Sequence, residues 1–230
     1  MSKIKNFLKN IVYYTMPASY VFMFHHVSLT PIVCKSTCMM NTEAFKSFIL
    51  RYSDHYVPLG DVIKGRRKKI AMTFDDGIED VYSIAYPFLK EHKIPFTVFI
   101  VTDFIGQEGY ITKEQLLTMA NDPLVTIGSH GISHDVFTKM DTEEKKKELV
   151  ESKEFLERLL GTPISFFAYS HGQYDKETLR LVKCYDSAMS GKACPINCFT
   201  SRKYLFPRYN IDEKTYPQLQ KIFDKKLNKQ

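Results

Sequence analysis

The sequence predicts an α/β protein whose parallel sheet curls into an irregular (β/α) barrel of about seven parallel strands. Three observations carry that expectation. Short apolar runs without period-2 alternation, such as Ile70 to Phe74 and Leu124 to Ile127, read as strands covered on both faces, as parallel strands are. Between such runs lie stretches with helical periodicity and cap signals, and strands that alternate with helices imply a parallel sheet. The chain has 230 residues with 44% hydrophobic content, enough for one sizeable core.

In chain order, Met1 to Met16 places Ile4, Phe7, Leu8, Ile11 and Val12 on one helical face, with Lys3, Lys5 and Lys9 elsewhere. This is an amphipathic helix, residues 1–18, ahead of a single domain over 19–230. A signal peptide is the alternative, but the uncharged stretch Asn10 to Phe24 carries Asn10, Thr15, Pro17 and Ser19, and no small-x-small cleavage site follows. The helix is therefore expected to be retained in a cytoplasmic protein. Docking of residues 1–16 on the inner face of the membrane is the alternative to packing on the domain. Ser19 to His26 is the first strand, and Asn41 caps a helix running to Tyr56. After the basic turn Lys64 to Lys69 come the strand ending at Phe74, a helix over Ile78 to His92 and a strand over Pro95 to Val101. A helix over Lys113 to Asn121 and a strand over Leu124 to Gly128 follow. Asp141-Thr142-Glu143-Glu144 opens a long helix to Leu160, which Gly161-Thr162-Pro163 stops. The remaining elements are a strand at Ser165 to Ser170, a helix at Lys176 to Cys184, strands at Ser187 to Ser190 and Leu205 to Tyr209, and a closing helix at Tyr216 to Leu227.

Net charge is +6, from 32 Lys and Arg against 26 Asp and Glu, too diffuse for a nucleic-acid partner. With no tryptophan, 14 Tyr and 17 Phe are the aromatics available to stack on sugar rings. The five cysteines include Cys34-xxx-Cys38 and Cys194-xxx-Cys198, with Cys184 left over. Four thiolates could hold a structural zinc, but the usual spacing is tighter, and the expectation is reduced, unpaired thiols.

Chemistry collects at the strand ends. The run from Lys69 ends in Asp75-Asp76-Gly77, two carboxylates at the carboxyl end of a buried strand, where α/β folds bind ligands. Adjacent acids there invite a cation or a shared proton. The plainer alternative is a turn-forming Asp-Asp-Gly. Downstream, Gly128-Ser129-His130-Gly131-Ile132-Ser133-His134 also begins at a strand's carboxyl end. On a helical turn the four-residue spacing puts both imidazoles on one face, able to grip one metal ion with Asp76 as third ligand and water completing the shell.

Thr73-Phe74-Asp75-Asp76-Gly77 followed by Gly128-Ser129-His130 and His134 resembles the polysaccharide deacetylase family, also called NodB homology or carbohydrate esterase family four. Phe166 to Tyr174 resembles its Phe-Ala-Tyr-Pro-Tyr-Gly segment, with Ser170 for the proline and His171 for the second tyrosine. Phe24-His25-His26-Val27 resembles the Tyr-His-x-Val of the short glycan-biosynthesis branch, and Phe206-Pro207-Arg208 resembles its Pro-Arg. The resemblance spans residues 20–212 and implies a NodB-type barrel.

It further implies a carbon–nitrogen hydrolase, a metal-dependent N-deacetylase acting on an N-acetylated sugar in a surface polysaccharide or its precursor. The implied parts are Zn²⁺, with Co²⁺ or Ni²⁺ as alternatives, on Asp76, His130 and His134. Asp75 is the implied general base toward water. Tyr169, Ser170 and His171 are the implied substrate contacts, with the backbone N–H of His171 toward the oxyanion. The chain departs from the larger branch, which draws its acid from a Leu-x-His, because no histidine follows His171. His25 is expected to give that proton, and strand alternation turns His26 the other way. Ala168 stands where many relatives have an arginine that fixes the base; Arg208 is expected to replace it, since a cation within about 4–6 Å holds a carboxylate ionised. Two other readings stay open: a metal-dependent hydrolase of cyclic amides, and a non-catalytic carbohydrate-binding relative.

Overall fold

The computed structural model describes residues 18–28, 38–65, 67–197 and 202–227. Its strands are β1 (Tyr20–Phe24), β2 (Ile70–Phe74), β3 (Phe96–Ile100), β4 (Val125–Ser129), β5 (Phe166–Ala168), β6 (Ser187–Met189) and β7 (Tyr209–Asn210). They lie in the order β6-β5-β4-β3-β2-β1-β7, every pair parallel. The two edges of this curled sheet are tied by one segment: Tyr209 pairs with Phe22 of β1, while Phe206 bridges Met189 of β6. The result is the irregular (β/α) barrel that the alternation of elements implies.

Around the sheet stand α1 (Thr42–Leu50), α2 (Leu59–Ile63), α3 (Tyr86–Glu91), α4 (Lys113–Ala120), α5 (Thr142–Leu160), α6 (Lys176–Leu181) and α7 (Tyr216–Leu227). Their starts are written in the sequence. Asn41 accepts from the backbone N–H of Glu43 and Ala44, and capping boxes join Thr112 to Gln115, Asp141 to Glu144 and Asp175 to Thr178. Gly161 ends α5 at φ 68, a left-handed cap that costs glycine little. No helix among the described residues is long and apolar enough to cross a membrane. The amphipathic segment 1–16 falls outside the described residues.

Alternation along each strand sorts the core into two layers. Tyr20, Phe22 and Phe24 of β1 and Ile70, Met72 and Phe74 of β2 pack outward against the helices with Phe48, Tyr52 and Phe223. Val21, Ala71, Phe99, Ala168, Met189 and Phe206 form the inner cluster. A Cβ at Gly128 would lie 2.5 Å from the Phe99 ring, so glycine there makes room for that ring. Continued one step past each strand, the inner series Val21, Met23 leads to His25, Ala71, Thr73 to Asp75, and Gly128 to His130. The parallel register sets these ends level, with Phe24 opposite Phe74 and Ile100 opposite Ser129.

The structure differs from the sequence reading at five places. The helix expected over Asn41 to Tyr56 stops at Leu50 and resumes only as a 3₁₀ turn at Ser53–His55, because Ser53 and Asp54 favour local turns. The helix expected over Ile78 to His92 opens with a π turn at Val81–Ala85, since Pro87 has no N–H to continue a regular ladder. The short helix α2 was not foreseen, and the closing strand is only Tyr209–Asn210, with Pro207 unable to donate between Phe206 and Arg208. Last, His130 to His134 is not a helical turn: His130 directly follows β4, Ile132 and Ser133 form a bend, and His134 sits at φ 66.

Candidate active site

Asp75 follows β2 directly and is buried. The Arg208 guanidinium forks onto it, Nη1 to Oδ1 at 2.6 Å and Nη2 to Oδ2 at 2.7 Å. Arg208 is itself fully buried, donating from Nη1 to Thr73 Oγ1 and from Nε to the Ser190 carbonyl, each at 3.3 Å, with the guanidinium over the Phe99 ring. Burial pushes the Asp75 carboxyl up, but the charge and hydrogen bonds of Arg208 outweigh it and hold the group at about 2. Arg208 lies between Phe206, bridged to β6, and Tyr209, paired with β1, so closure of the sheet is what delivers it.

Asp76 has a different environment. Its backbone turns to φ 72, which separates its side chain from that of Asp75. Oδ1 lies 3.5 Å from His130 Nε2 and 3.3 Å from His134 Nε2, yet this buried oxygen forms no hydrogen bond. Burial first, then the charge of Asp75, push its carboxyl up to about 7, with Arg208 opposing. His130 Nδ1 lies 2.7 Å from the Ala168 carbonyl, which can only accept; the proton therefore sits on Nδ1, leaving the Nε2 lone pair toward Asp76. Burial holds His130 below the usual imidazole range. Burial, then the neighbouring His130 and His171, bring His134 down to about 3.

One ligand atom from each of Asp76, His130 and His134 lies within 4.8 Å of the others. An unbonded buried carboxylate oxygen facing two imidazole nitrogens is costly in a protein alone and favourable around a cation. The donor set, one carboxylate and two neutral imidazoles, fits a divalent metal of the Zn²⁺ type and leaves positions for other ligands.

These groups open on a cavity of about 360 Å³ that His25, Tyr169, His171 and Arg208 also line. His25 is half-buried and its Nδ1 has no partner. Burial brings it down to about 4, the charge of Asp75 working in the opposite sense. His26 is turned away from the cavity and hydrogen-bonds Asp80 in the interior. Tyr169 is buried and donates its hydroxyl to the Tyr204 carbonyl at 3.0 Å. Ser170, expected among the substrate contacts, does not line the cavity: it is fully buried and donates to the His130 carbonyl at 3.2 Å, bracing a candidate ligand instead. His171, at φ 55, lays its ring 4.5 Å from that of His134.

Sequence reasoning missed one wall of the cavity, made by Met23, Cys38 and Asn210. Asn210 donates to Asp212 Oδ2 at 2.9 Å and to Cys38 Sγ at 3.6 Å. Only the pairing of Met23 with Asn210 and the bridge of His26 to Met39 could have exposed this wall. Cys184 and Cys194 are free thiols, while Cys34 and Cys198 lie outside the described residues. A larger groove, about 520 Å³, runs between α4 and α5 over Leu117, Phe155 and Leu159, and its lining includes Lys113 and Arg158 but no histidine, cysteine or carboxylate.

A family model described as polysaccharide deacetylase matches residues 63–189, a span containing Asp75, Asp76, His130, His134 and His171. The chain belongs to the polysaccharide deacetylase family. A Staphylococcus aureus member, poly-β-1,6-N-acetyl-D-glucosamine N-deacetylase, is 26% identical over 238 residues, 95% of this chain and 79% of that protein. Bacillus subtilis YxkH is 32% identical over 117 residues, 51% of this chain and only 42% of that protein. Among solved structures, Streptococcus pyogenes deacetylase PplD in complex with acetate has a TM-score of 0.79 at 20% identity, covering 89% of this chain and 98% of that one. IcaB from Ammonifex degensii has a TM-score of 0.74 at 19% identity, covering 89% and 96%. These likenesses show that this polysaccharide deacetylase family member has the NodB-type barrel.

Proposed function

We propose that the chain is a metal-dependent N-deacetylase that hydrolyses the acetamido group of an N-acetylated sugar in a surface polysaccharide or its precursor. The observation that carries this reading is the unequal treatment of two adjacent aspartates: Asp75 is locked to Arg208, while Asp76 faces two imidazole nitrogens with no hydrogen bond of its own. The name of the S. aureus relative, whose match covers 95% of this chain, supports a poly-N-acetylglucosamine type of substrate.

Asp76, His130 and His134 would hold the divalent ion, Zn²⁺ first among candidates and Co²⁺ or Ni²⁺ next. When bound, it supplies a Lewis acid that polarises an acyl oxygen and acidifies water. Asp75 stays ionised at every pH above about 2 and accepts a hydrogen bond from the attacking water. A carboxylate held that low is a weak base, so its task is to orient the water and take its proton briefly. His25, brought down to about 4, enters the reaction neutral. It must take up a proton before it can give one, and Asp75, on the neighbouring strand end, is the source. Returned from His25 to the departing nitrogen, that proton completes the hydrolysis. The His171 backbone N–H is assigned to the developing oxyanion.

The test is acetate release from β-1,6-linked N-acetylglucosamine oligomers, from sugar nucleotides and, in parallel, hydrolysis of an allantoin-like cyclic amide. The expected result is acetate from the oligomers, abolished by a chelator and restored by Zn²⁺, with Asp75→Asn retaining the ion but not turnover. Turnover of the cyclic amide alone, or acetate release that survives complete metal removal, would refute the proposal.

A further inference from the structure

The loop from His130 to His134 carries two candidate metal ligands but has no regular secondary structure. Gly131 at φ 86 and His134 at φ 66 are both left-handed, a conformation that the surroundings must impose on a histidine. Its carbonyls are tethered from the ends of both neighbouring strands. Thr102 and Asp103, after β3, donate to the carbonyls of Gly131 and Ile132 at 3.1 Å each, and Ser170 to that of His130. The Gly131 N–H donates to Ser129 Oγ at 3.2 Å, and the amides of Ile132 and Ser133 meet one other side chain.

That side chain is Glu148 of α5, a charged residue only 7% exposed. Its Oε2 accepts the Ile132 N–H at 2.6 Å, and both oxygens accept the Ser133 N–H at 3.2 Å. A Cβ on residue 131 would come within 2.6 Å of Oε2, so glycine at that position clears the space the carboxylate occupies. A buried carboxylate is costly unless hydrogen-bonded, and charge-assisted bonds to backbone amides are among the stronger ones. The contact thus fixes the loop at its centre, with a candidate ligand on either side.

We propose that Glu148 is a positioning residue for the candidate metal centre, holding the Gly131-Ile132-Ser133 backbone so that His134 Nε2 faces Asp76 Oδ1 and His130 Nε2. This rests on the reading of Asp76, His130 and His134 as metal ligands. It adds a residue, remote in sequence from all three, whose loss acts through the loop. The competing role, a general anchor of α5 to the barrel, would be shared by other contacts of the same helix. Lys145, which reaches Asp175 at 2.7 Å, is such a contact and touches nothing in the loop.

Glu148→Gln keeps the size of the side chain but replaces one acceptor oxygen with an amide donor pointed at backbone N–H groups. The expected result is that Zn²⁺ affinity, measured by competition with a chromophoric chelator, falls about 10–100-fold, the usual effect of losing a group that orients a ligand. Lys145→Met should leave the affinity unchanged. In metal-free protein the ring resonances of His134 should move in Glu148→Gln and not in Lys145→Met. Wild-type affinity in folded Glu148→Gln overturns the proposal, as does an equal fall in Lys145→Met. If the wild type binds no Zn²⁺, the ligand reading fails, and the His134 resonances alone decide: unchanged in Glu148→Gln, they overturn the positioning role. Should Glu148→Gln not fold, Glu148→Asp retains the charge and withdraws it by one methylene. Weakened Zn²⁺ binding is expected there, and wild-type binding overturns the proposal.

Discussion

The fold alters the protonation of Asp76 strongly, because burial and the fixed charge of Asp75 favour its neutral form up to about pH 7. A carboxyl whose pKa is raised by folding binds its proton more tightly in the native state. Stability therefore falls as pH rises from its unfolded value near 4 toward 7. The imidazoles of His25, His130 and His134, whose pKa values burial lowers, work in the opposite sense over the same window, so the Asp76 contribution is read as a difference: Asp76→Asn, which removes the titration, should gain in melting temperature on the metal-free wild type as pH rises and melt above it at pH 8. A lower melting temperature for Asp76→Asn at pH 8 would contradict this. His25 and His26 form a second contrasted pair. His25→Ala should reduce turnover by about 10²–10⁴-fold with Zn²⁺ retained, the range of general acid–base assistance. His26→Ala strands the buried Asp80 carboxylate and should cost about 3 kcal/mol, seen as a loss of roughly 6–12 °C in melting temperature. The folded fraction of that variant should turn over normally. Assayed side by side, a variant pair with these effects exchanged would refute both assignments.

At the scale of elements, the strands and cap-marked helices were legible because each is a local pattern. Ile70 to Phe74 is apolar throughout, and Asp141 with Glu144 is a complete capping box. Asp75 and His130 were legible for a related reason: Asp75 directly follows one apolar run and His130 lies three residues past the end of another, and alternation sends each inward. What was hidden depends on contacts remote in sequence. The spacing of His130 and His134 suits a helical turn equally well, and the bend they occupy is held by Glu148 and the segment after β3. Asn210 reaches the cavity through the β1–β7 pairing, and Cys38 through the bridge of Met39 to His26. Arg208 occupies an intermediate case, since the Pro-Arg resemblance named it but Pro207 concealed how little regular strand carries it. Arg208→Lys should fail to substitute, because an ammonium cannot fork onto both Asp75 oxygens. Arg208→Ala should destabilise by about 3–5 kcal/mol by leaving a buried carboxylate unpaired. The depressed Asp75 pKa contributes stability that is present above pH 4 and lost as pH falls toward 2. Both variants should melt lower at pH 7 and show a smaller further loss on acidification than the wild type, a comparison that thermal melts across pH 2–7 would decide.

Across the whole molecule, closure of the sheet and assembly of the site are one event. The segment 206–210 ties β6 to β1, Arg208 within it neutralises Asp75, and the level strand ends bring Asp76 against the loop leaving β4. Desolvation acts on the candidate ligands in two directions: it keeps Asp76 protonated to higher pH and both imidazoles neutral to lower pH. A site with ordinary ligands, a carboxylate near 4 and imidazoles near 6.5, would at pH 5.5 surrender about two protons on binding one ion, both from imidazolium. Here His134, at about 3, carries no proton to lose, burial moves His130 in the same direction, and Asp76 at about 7 surrenders one. Zn²⁺ binding at pH 5.5 should therefore release about one proton per ion, read from calorimetric enthalpies in buffers of different ionisation enthalpy. Between pH 5 and 6.5 the logarithm of the apparent affinity should climb by about one per pH unit. Release of two protons would mean that the imidazoles are charged in the free protein, and release of none would mean that Asp76 is already ionised. Either result would break the link between barrel closure and the tuning of the ligands.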